Sequence, residues 1–137
     1  MILAGSCHCG AVSVELETAR APDELPLREC QCSFCRRHAA RNTVDANGRA
    51  RVVATAGALG RYRFGLGTAD FLFCRRCGVY VGCVLDDAFA SINTRVLDDA
   101  ARLTQAPRAV DWSGENAEAR RTRRRATWTP AFVEERK

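Results

Sequence analysis

Seven of the eight cysteines in this chain of 137 residues stand in three short clusters. Outside secreted proteins, cysteines at such close spacing are more often metal ligands or catalytic thiols than partners in disulfides. A Cys-x-Cys or Cys-x-x-Cys pair can direct two sulfur atoms at one point, so the clusters predict metal binding. They are Cys7-His8-Cys9, Cys30-Gln31-Cys32-Ser33-Phe34-Cys35 and Cys74-Arg75-Arg76-Cys77.

The first and last clusters together contain the four thiolates that a structural zinc ion takes. Gly78, directly after the last cysteine, permits the sharp backbone turn of a metal knuckle. Such a site would close a long loop and contribute folding energy directly. The alternative is a set of unrelated buried thiols. The predicted ligands are Cys7, Cys9, Cys74 and Cys77.

The central cluster contains three cysteines, which is the number of ligands that a catalytic zinc takes from a protein. Zinc at Cys30, Cys32 and Cys35 would keep one position open for water or for a soft donor such as a substrate thiol. The alternative is a second structural site closed by Cys83 or His38. We favour the open site because of the count of three ligands. Cys83 lies in an apolar strand and is typical of a buried free thiol, and a lone histidine such as His38 is more often a surface or packing residue.

Arginine side chains lie next to the cysteine clusters in the sequence. Thiolate-rich sites carry negative charge, and we predict that Arg75 and Arg76 offset it. Arg36 and Arg37, which follow the central cluster, are predicted instead to bind carboxylate groups of a substrate. Together with His38 they are also candidates for positioning or proton transfer.

The composition is that of an ordinary globular protein, with 47% apolar and 27% charged residues. No apolar run is long enough to span a bilayer, and the first residues lack the basic and apolar regions of a secretory signal. We therefore expect a cytoplasmic protein that forms one domain over residues 1–137. Its formal charge is +5. Seven thiolates and two zinc ions would lower that charge to about +2, which weakens any inference from charge to nucleic acid.

Short apolar or alternating segments separated by glycine-rich turns indicate a mainly β domain. In the first of them Val12, Val14 and Leu16 would face the core. A helical turn is predicted over residues 36–41, and residues 97–107 are expected to be irregular. The predicted strands are residues 11–17, 27–28, 51–55, 61–64, 70–73, 79–84 and 88–93.

The C-terminal part of the chain is predicted to form a short helix over residues 114–125, capped by Ser113. Residues 128–137 would follow as a docked tail that frays. The arginines of residues 120–125 are interpreted either as a solvated helix face, which we favour, or as a surface for nucleic acid or acidic partners. The aromatic anchors of the tail would be Trp112, Trp128 and Phe132.

Three segments resemble the motifs of the glutathione-dependent formaldehyde-activating enzyme family, which also includes centromere protein V. They occur in the family's order within residues 2–95, and residues 96–137 form a C-terminal extension. The resemblance implies a tent-like β fold with a structural zinc at the four outer cysteines. It also implies a second zinc at the central cluster, where glutathione or a related thiol acts. The segments are Gly5–Val12, Cys30–Arg37 and Phe73–Gly78.

The activity implied by the resemblance joins formaldehyde to glutathione and gives S-hydroxymethylglutathione, formally a carbon–sulfur lyase reaction in reverse. We therefore predict a zinc-dependent carbon–sulfur lyase-like enzyme that binds two zinc ions and a small-molecule thiol, with no membrane or nucleic-acid partner. The alternative is a non-catalytic, zinc-stabilised binding module that contacts nucleic acid or protein through its arginine-rich C-terminal helix.

The chain departs from the family's pattern at two places. Ala39 and Ala40 stand where members usually carry Ser or Thr and then Gly. Val79 and Tyr80 stand where members often carry a small residue and Pro. A change from glycine to alanine beside the central cluster would narrow that site or alter its backbone.

Overall fold

The computed structural model describes residues 1–137 and confirms a mainly β fold with a short C-terminal helix. Eleven strands and two α-helices follow one another along the chain, with short 3-10 turns between them. The helices are α1 (Ser33–Arg37) and α2 (Ala117–Thr127). The strands are β1 (Ile2–Ser6), β2 (Val12–Glu17), β3 (Arg28–Cys30), β4 (Asn42–Thr43), β5 (Arg49–Ala54), β6 (Leu59–Tyr62), β7 (Asp70–Cys74), β8 (Tyr80–Leu85), β9 (Phe89–Asn93), β10 (Arg108–Val110) and β11 (Thr129–Glu135).

All strands belong to one branched sheet, in which β9 and β11 are the junction. On one side β11 runs parallel to β5, which continues through β2 to β1. On the other side the first residues of β11 pair antiparallel with β9. From β9 one branch runs through β8 and β7 to β6, and the other runs through β4 and β3 to β10. One branch carries Cys74 at the end of β7, and the other carries Cys30 at the end of β3.

The last strand corrects the prediction for the C-terminal tail. Residues 129–135 do not fray but form β11 between β5 and β9. Thr129 is fully buried, and its hydroxyl accepts the backbone N–H of Asp45 at 2.9 Å. The segment contains Pro130 and a charged end, so its strand character comes from these partners rather than from a local pattern.

Apolar side chains form two clusters under the sheet. The larger contains the predicted inward residues of β2, Val12, Val14 and Leu16, which are fully buried. The smaller surrounds Cys35 and includes Tyr80 and Trp128. Because Cys7 and Cys74 belong to the larger cluster and Cys35 to the smaller, each cysteine site is anchored in a different part of the core.

The boundaries of several elements differ from the predictions. The helical turn expected over residues 36–41 begins earlier, at Ser33, because Cys32 caps it. The strand expected over residues 61–64 is β6, which begins and ends two residues earlier. Helix α2 is capped by Asn116, whose side chain accepts the Ala119 N–H at 2.8 Å, and not by Ser113. The short strands β1, β4 and β10 had no predicted counterpart.

Candidate metal centres

The four outer cysteines converge at the meeting point of two β-hairpin turns. Cys7 and Cys9 lie in the turn between β1 and β2, and Cys74 ends β7 before the turn that carries Cys77. Their four sulfur atoms lie within 4.8 Å of one another. The structure therefore brings together residues that are 65 positions apart in the chain, as in the pair Cys9 and Cys74.

The sulfur spacing of this cluster fits a zinc ion. The Cys7 and Cys9 sulfurs are 3.8 Å apart, and the Cys9 and Cys74 sulfurs are 3.6 Å apart. A regular tetrahedron with Zn–S bonds of about 2.3 Å has edges of about 3.8 Å. Both turns reach this spacing through a left-handed glycine after the second cysteine, Gly10 at φ +83° and Gly78 at φ +82°.

Backbone donors and burial act in opposite directions on these thiols. Burial raises the pKa of Cys7 to about 11. The backbone N–H of Val79, followed by that of Cys9, lowers the pKa of Cys77 to about 6. A cluster in which some thiols ionise easily and others do not needs a cation to hold all four as thiolates.

The central cysteines lie where β3 passes into α1. Cys30 ends β3, Cys32 caps α1 by accepting the Cys35 N–H at 3.4 Å, and Cys35 points into the core. Their sulfurs also lie within 4.8 Å of one another. Asn42 directs its Nδ2 towards the Cys35 sulfur at 3.9 Å. This cluster therefore has three sulfur ligands in place.

The three central thiols cannot ionise independently. Hydrogen bonds from Cys30 and then from Cys35 lower the pKa of Cys32 to about 2. Hydrogen bonds with Cys30 and then with Cys32 raise the pKa of Cys35. One thiolate is thus stabilised by its neighbours' protons, and loss of those protons requires a positive charge at the centre, which a divalent metal ion would provide.

Neither of the two residues considered as a fourth ligand belongs to this cluster. The His38 ring is stacked on Phe34 with centroids 4.2 Å apart, and its Nδ1 lies 3.0 Å from the Phe34 carbonyl oxygen. Cys83 lies in β8, where burial raises the pKa of its thiol to about 12. The arrangement is therefore three sulfurs without a fourth ligand from Cys83 or His38.

Two cavities adjoin the central cluster. The larger, of about 240 Å³, reaches Cys30 and Cys32. The smaller, of about 60 Å³, lies behind Cys30 and Cys35. The larger cavity combines apolar and polar walls, which include Phe64, Phe71, Trp112, Thr68, Arg120, Arg124 and one carboxylate, that of Asp111.

The smaller cavity contains polar groups that have no partner within the protein. Asn42 and Tyr80 line it, and both the Asn42 Oδ1 and the Tyr80 hydroxyl are buried without a hydrogen bond. Burial raises the pKa of the Tyr80 hydroxyl, which keeps it protonated and able to donate. Buried polar groups are nearly always satisfied, so an unpaired donor beside a thiol cluster indicates a binding function.

The model of the glutathione-dependent formaldehyde-activating enzyme family matches residues 2–115. The chain belongs to this family. The match extends past residue 95, where the predicted motif region ended, and stops before α2.

Individual proteins agree with this assignment. A Halomonas elongata protein, whose name contains the same enzyme designation, is 46% identical over 39 residues. That segment is 28% of this chain and 23% of the relative, so the chain spans less than a quarter of the curated relative it matches. A crystal structure of a Rhodobacter sphaeroides protein covers 78% of this chain and 99% of its own, with a TM-score of 0.61 and 34% identity.

One departure from the family pattern has a clear structural correlate. Ala39 lies in the left-handed region at φ +48°, directly after the end of α1. The Ala39 N–H donates to the Arg36 carbonyl and the Ala40 N–H to the Cys35 carbonyl, at 3.2 and 2.9 Å. This is a Schellman motif, in which glycine is preferred at the left-handed position. That position is Ala39, whereas the resemblance had placed the family glycine at Ala40.

Arginines approach the central site from a different element than the sequence indicated. Arg36 and Arg37 are exposed on α1 and line neither cavity beside the cluster. Their binding of substrate carboxylates stays a prediction. The cavity walls contain Arg120, Arg123 and Arg124 of α2 instead, together with Arg28 of β3. The spacing of the three arginines of α2, i, i+3 and i+4, places them on one helix face and is the signal that could have identified them.

The prediction that the arginines of α2 form a solvated helix face is wrong. Glu115 binds Arg120 at 3.3 Å and Arg123 at 2.7 Å. Arg124 is buried, whereas Arg121 and Arg125 are exposed. Three of the five arginines therefore point towards the protein, and Arg121 and Arg125 are the exposed ones.

The aromatic residues around α2 have different roles. The Arg123 guanidinium lies 3.9 Å from the centroid of the Trp112 ring, so Trp112 contacts α2 rather than the tail that it was predicted to anchor, whereas Trp128, directly before β11, is buried. Phe132, the third predicted anchor, is 53% exposed and points away from the core because β11 alternates its faces.

No helix of this chain is both long and apolar enough to cross a membrane.

Proposed function

We propose that this chain binds two zinc ions and acts as a carbon–sulfur lyase on a thiol adduct such as S-hydroxymethylglutathione. The structural zinc would be held by Cys7, Cys9, Cys74 and Cys77, and the second by Cys30, Cys32 and Cys35. The observation that carries the proposal is the contrast between the clusters. The first has a complete set of four ligands, whereas the second has three and adjoins a cavity of about 240 Å³.

Membership of the family supports the choice of substrates. The family's description names glutathione and formaldehyde. The Halomonas elongata relative has the same designation in its name. The sizes of the two cavities also suit a thiol and a small aldehyde. The larger cavity can hold a group of the size of an amino-acid side chain, whereas the smaller cavity can hold only a few atoms.

A zinc ion at the central cluster would supply an electrophilic position that lowers the pKa of a substrate thiol. The protein would contribute apolar surroundings, since Phe64, Phe71 and Trp112 line the cavity through which the sulfur of the substrate would reach the cluster. In the synthetic direction the thiolate sulfur attacks the carbonyl carbon and a C–S bond forms. The C=O π electrons move to oxygen, which takes up a proton; the lyase direction reverses each change.

Tyr80 is the donor that we assign to the oxygen of the aldehyde. Its hydroxyl is buried and unpaired, and the residue lines the smaller cavity together with Cys30 and Cys35. A hydrogen bond to an oxygen that becomes negative is stronger in the transition state than in the ground state. Tyr80 would therefore favour C–S bond formation and cleavage rather than substrate binding.

X-ray absorption at the zinc edge tests the proposal directly. Zinc-loaded protein should contain about two zinc ions per chain, with an average of about 3.5 sulfur ligands per zinc. Addition of glutathione should raise this average towards four, because the thiol completes the three-cysteine site. A Cys32→Ala variant serves as control, since it should bind about one zinc and show no change on addition of glutathione.

Two results would contradict the proposal. A reproducible content near one zinc per wild-type chain would remove the second metal site. An unchanged sulfur count with glutathione would show that the second zinc is closed and would favour the non-catalytic binding module. Formation of S-hydroxymethylglutathione, followed by NMR of the new methylene group, then establishes whether the bound thiol reacts.

A further inference from the structure

A buried arginine lies in the wall of both cavities beside the central cluster. Arg124 is 8% exposed, and its Nη1 donates to the Thr68 hydroxyl at 2.7 Å. Its guanidinium carbon lies 4.7 Å from the centroid of the Trp128 ring. Its Nε is buried and has no acceptor in the protein. Because arginine stays protonated in proteins, a full positive charge lies in largely desolvated surroundings.

No carboxylate of the chain lies close enough to Arg124 to form an ion pair, although its neighbours on α2 are paired. Arg120 and Arg123 share Glu115, and Arg125 lies 3.3 Å from Asp86. Burial of a charge without a partner is strongly unfavourable, so such a residue is typical of a site where a ligand supplies the missing acceptor. The planar guanidinium is also the donor best matched to a carboxylate.

The position of Arg124 relates it to the substrate rather than to the outer surface. The larger cavity extends from Cys30 and Cys32 to Arg124 and Arg120 under α2. A small thiol whose sulfur lies at the cysteines would therefore place its other end next to Arg124.

We propose that Arg124, held by Thr68 and Trp128, is an anion-binding subsite that selects thiols carrying a carboxylate. This inference rests on the proposed function in taking the central cluster as the place of the thiol. Helix α2 lies outside residues 2–115, the part that the family model matches. The subsite is thus a property of this chain's C-terminal extension, and it narrows the substrate to an anionic thiol.

Calorimetric binding of two matched thiols to zinc-loaded protein tests the proposal. Mercaptoacetate carries a carboxylate, and 2-mercaptoethanol of the same length carries a hydroxyl. Wild-type protein should bind mercaptoacetate about 10- to 100-fold more tightly, the range expected for a charge-assisted pair. Arg124→Met should abolish this preference and leave 2-mercaptoethanol binding unchanged. Arg121→Met, on the exposed face of the same helix, should retain the full preference.

A spectroscopic measurement on the wild-type protein separates this inference from the function it rests on. The NMR signal of the Arg124 Nε–H should shift with mercaptoacetate and, at higher concentration, with acetate, but not with 2-mercaptoethanol. If neither thiol binds zinc while acetate still shifts the signal, the subsite stands and the thiol function fails. If 2-mercaptoethanol binds but neither carboxylate shifts the signal, the subsite is refuted and the thiol function stands.

The variants exclude a purely structural role. If Arg124 only offsets the charge of the thiolates, Arg124→Met should lower the zinc content and weaken both thiols equally, which would overturn the proposal. Arg124→Lys keeps the charge but loses the fork of donors, so it should fold and show a preference reduced at least several-fold. If Arg124→Lys and Arg124→Met both kept the wild-type preference for mercaptoacetate, the proposal would also be overturned.

Discussion

At the scale of single residues, Ala39 shows how the backbone at the central site is under strain. It closes α1, the helix that contains Cys35, in a left-handed conformation at φ +48°. For an L-residue this conformation costs about 1–2 kcal/mol, and glycine avoids the cost. The Schellman hydrogen bonds nevertheless form, so the packing around Cys35 must compensate for the strain.

We predict that Ala39→Gly stabilises the protein by about 0.5–1 kcal/mol. Relief of the left-handed strain exceeds the extra entropy that glycine adds to the unfolded chain. The free energy of unfolding in urea measures the change. Ala40→Gly is the matched control: Ala40 is buried, so loss of its methyl group should lower stability by about 1 kcal/mol. If Ala40→Gly were more stable than Ala39→Gly, the assignment of Ala39 as the strained position would be refuted.

Tyr80→Phe should separate activity from stability. The hydroxyl is buried without a partner, so its removal should leave the free energy of unfolding unchanged or raise it by up to about 1 kcal/mol. If Tyr80 donates to the aldehyde oxygen, kcat for the lyase reaction should fall about 10- to 100-fold with little change in KM. Tyr62→Phe, at a 50% exposed ring, is the control and should not affect kcat. A wild-type kcat in Tyr80→Phe would remove Tyr80 from the mechanism.

At the scale of elements, one acidic residue joins α2 to the loop that lines the larger cavity. Glu115 precedes the helix and accepts hydrogen bonds from Arg123 and Arg120, while Arg120 also donates to the Trp112 carbonyl at 2.7 Å. These contacts join the helix to the loop that contains Trp112, which is a wall of the cavity. The shape of the cavity therefore depends on an ion pair within the C-terminal extension.

Glu115→Gln should lower stability by about 1 kcal/mol at pH 7, because charge-assisted hydrogen bonds are lost. Arg123, followed by Arg120, lowers the pKa of Glu115, so its contribution is complete above the unfolded-state pKa of about 4.3. The contribution disappears as the pH falls through the lower folded-state pKa. The stability difference between wild type and variant, measured in urea, should therefore shrink below about pH 4.

Glu118→Gln provides the control for that pH series. Glu118 lies in the first turn of α2 but is exposed and forms no ion pair, so its replacement should change stability little at any pH. Loss of metal at low pH affects wild type and variants alike, and the difference between them isolates the carboxylate. If the difference in the free energy of unfolding between wild type and Glu115→Gln stayed constant from pH 7 to pH 3, it would contradict the assigned ion pairs.

At the scale of the whole molecule, the two cysteine clusters have different positions in the fold. The four-cysteine cluster joins the β1–β2 turn to the β7–β8 turn, so it connects two branches of the sheet. The three-cysteine cluster lies within one short segment, residues 30–35, and connects β3 to α1. Loss of the first should therefore affect the entire fold, whereas loss of the second should stay local.

We predict that Cys7→Ala abolishes cooperative folding, since it removes a ligand of the proposed structural zinc, which would close a loop of more than sixty residues. Cys32→Ala should lose one zinc and glutathione binding but keep its free energy of unfolding within about 1–2 kcal/mol of wild type. Thermal unfolding followed by circular dichroism, together with zinc analysis, distinguishes the two. Equal destabilisation in both variants would mean that both clusters are structural.

The elements that could be predicted were those whose pattern is local. The alternation of Val12, Val14 and Leu16 identified β2, and the apolar segments on either side of the Cys74 knuckle identified β7 and β8. β11 was missed because its residues have no alternation of their own and form a strand only between β5 and β9. The cap of α2 was misplaced by three residues because Ser113 instead donates its N–H to Asp111 in a preceding turn.

The sequence by itself determined the three short cysteine clusters, since a metal knuckle is a short turn whose geometry follows from its own residues, whereas the meeting of Cys9 with Cys74 is a tertiary contact. Only the tertiary structure decided which side chains surround the central cluster. Arg36 and Arg37 are adjacent to it in sequence yet point to solvent, whereas Arg124, 89 positions after Cys35, faces its cavity. The reason is that Arg124 of α2 contacts Thr68, which is 56 positions away in the chain, and such long-range packing is not encoded in any local pattern.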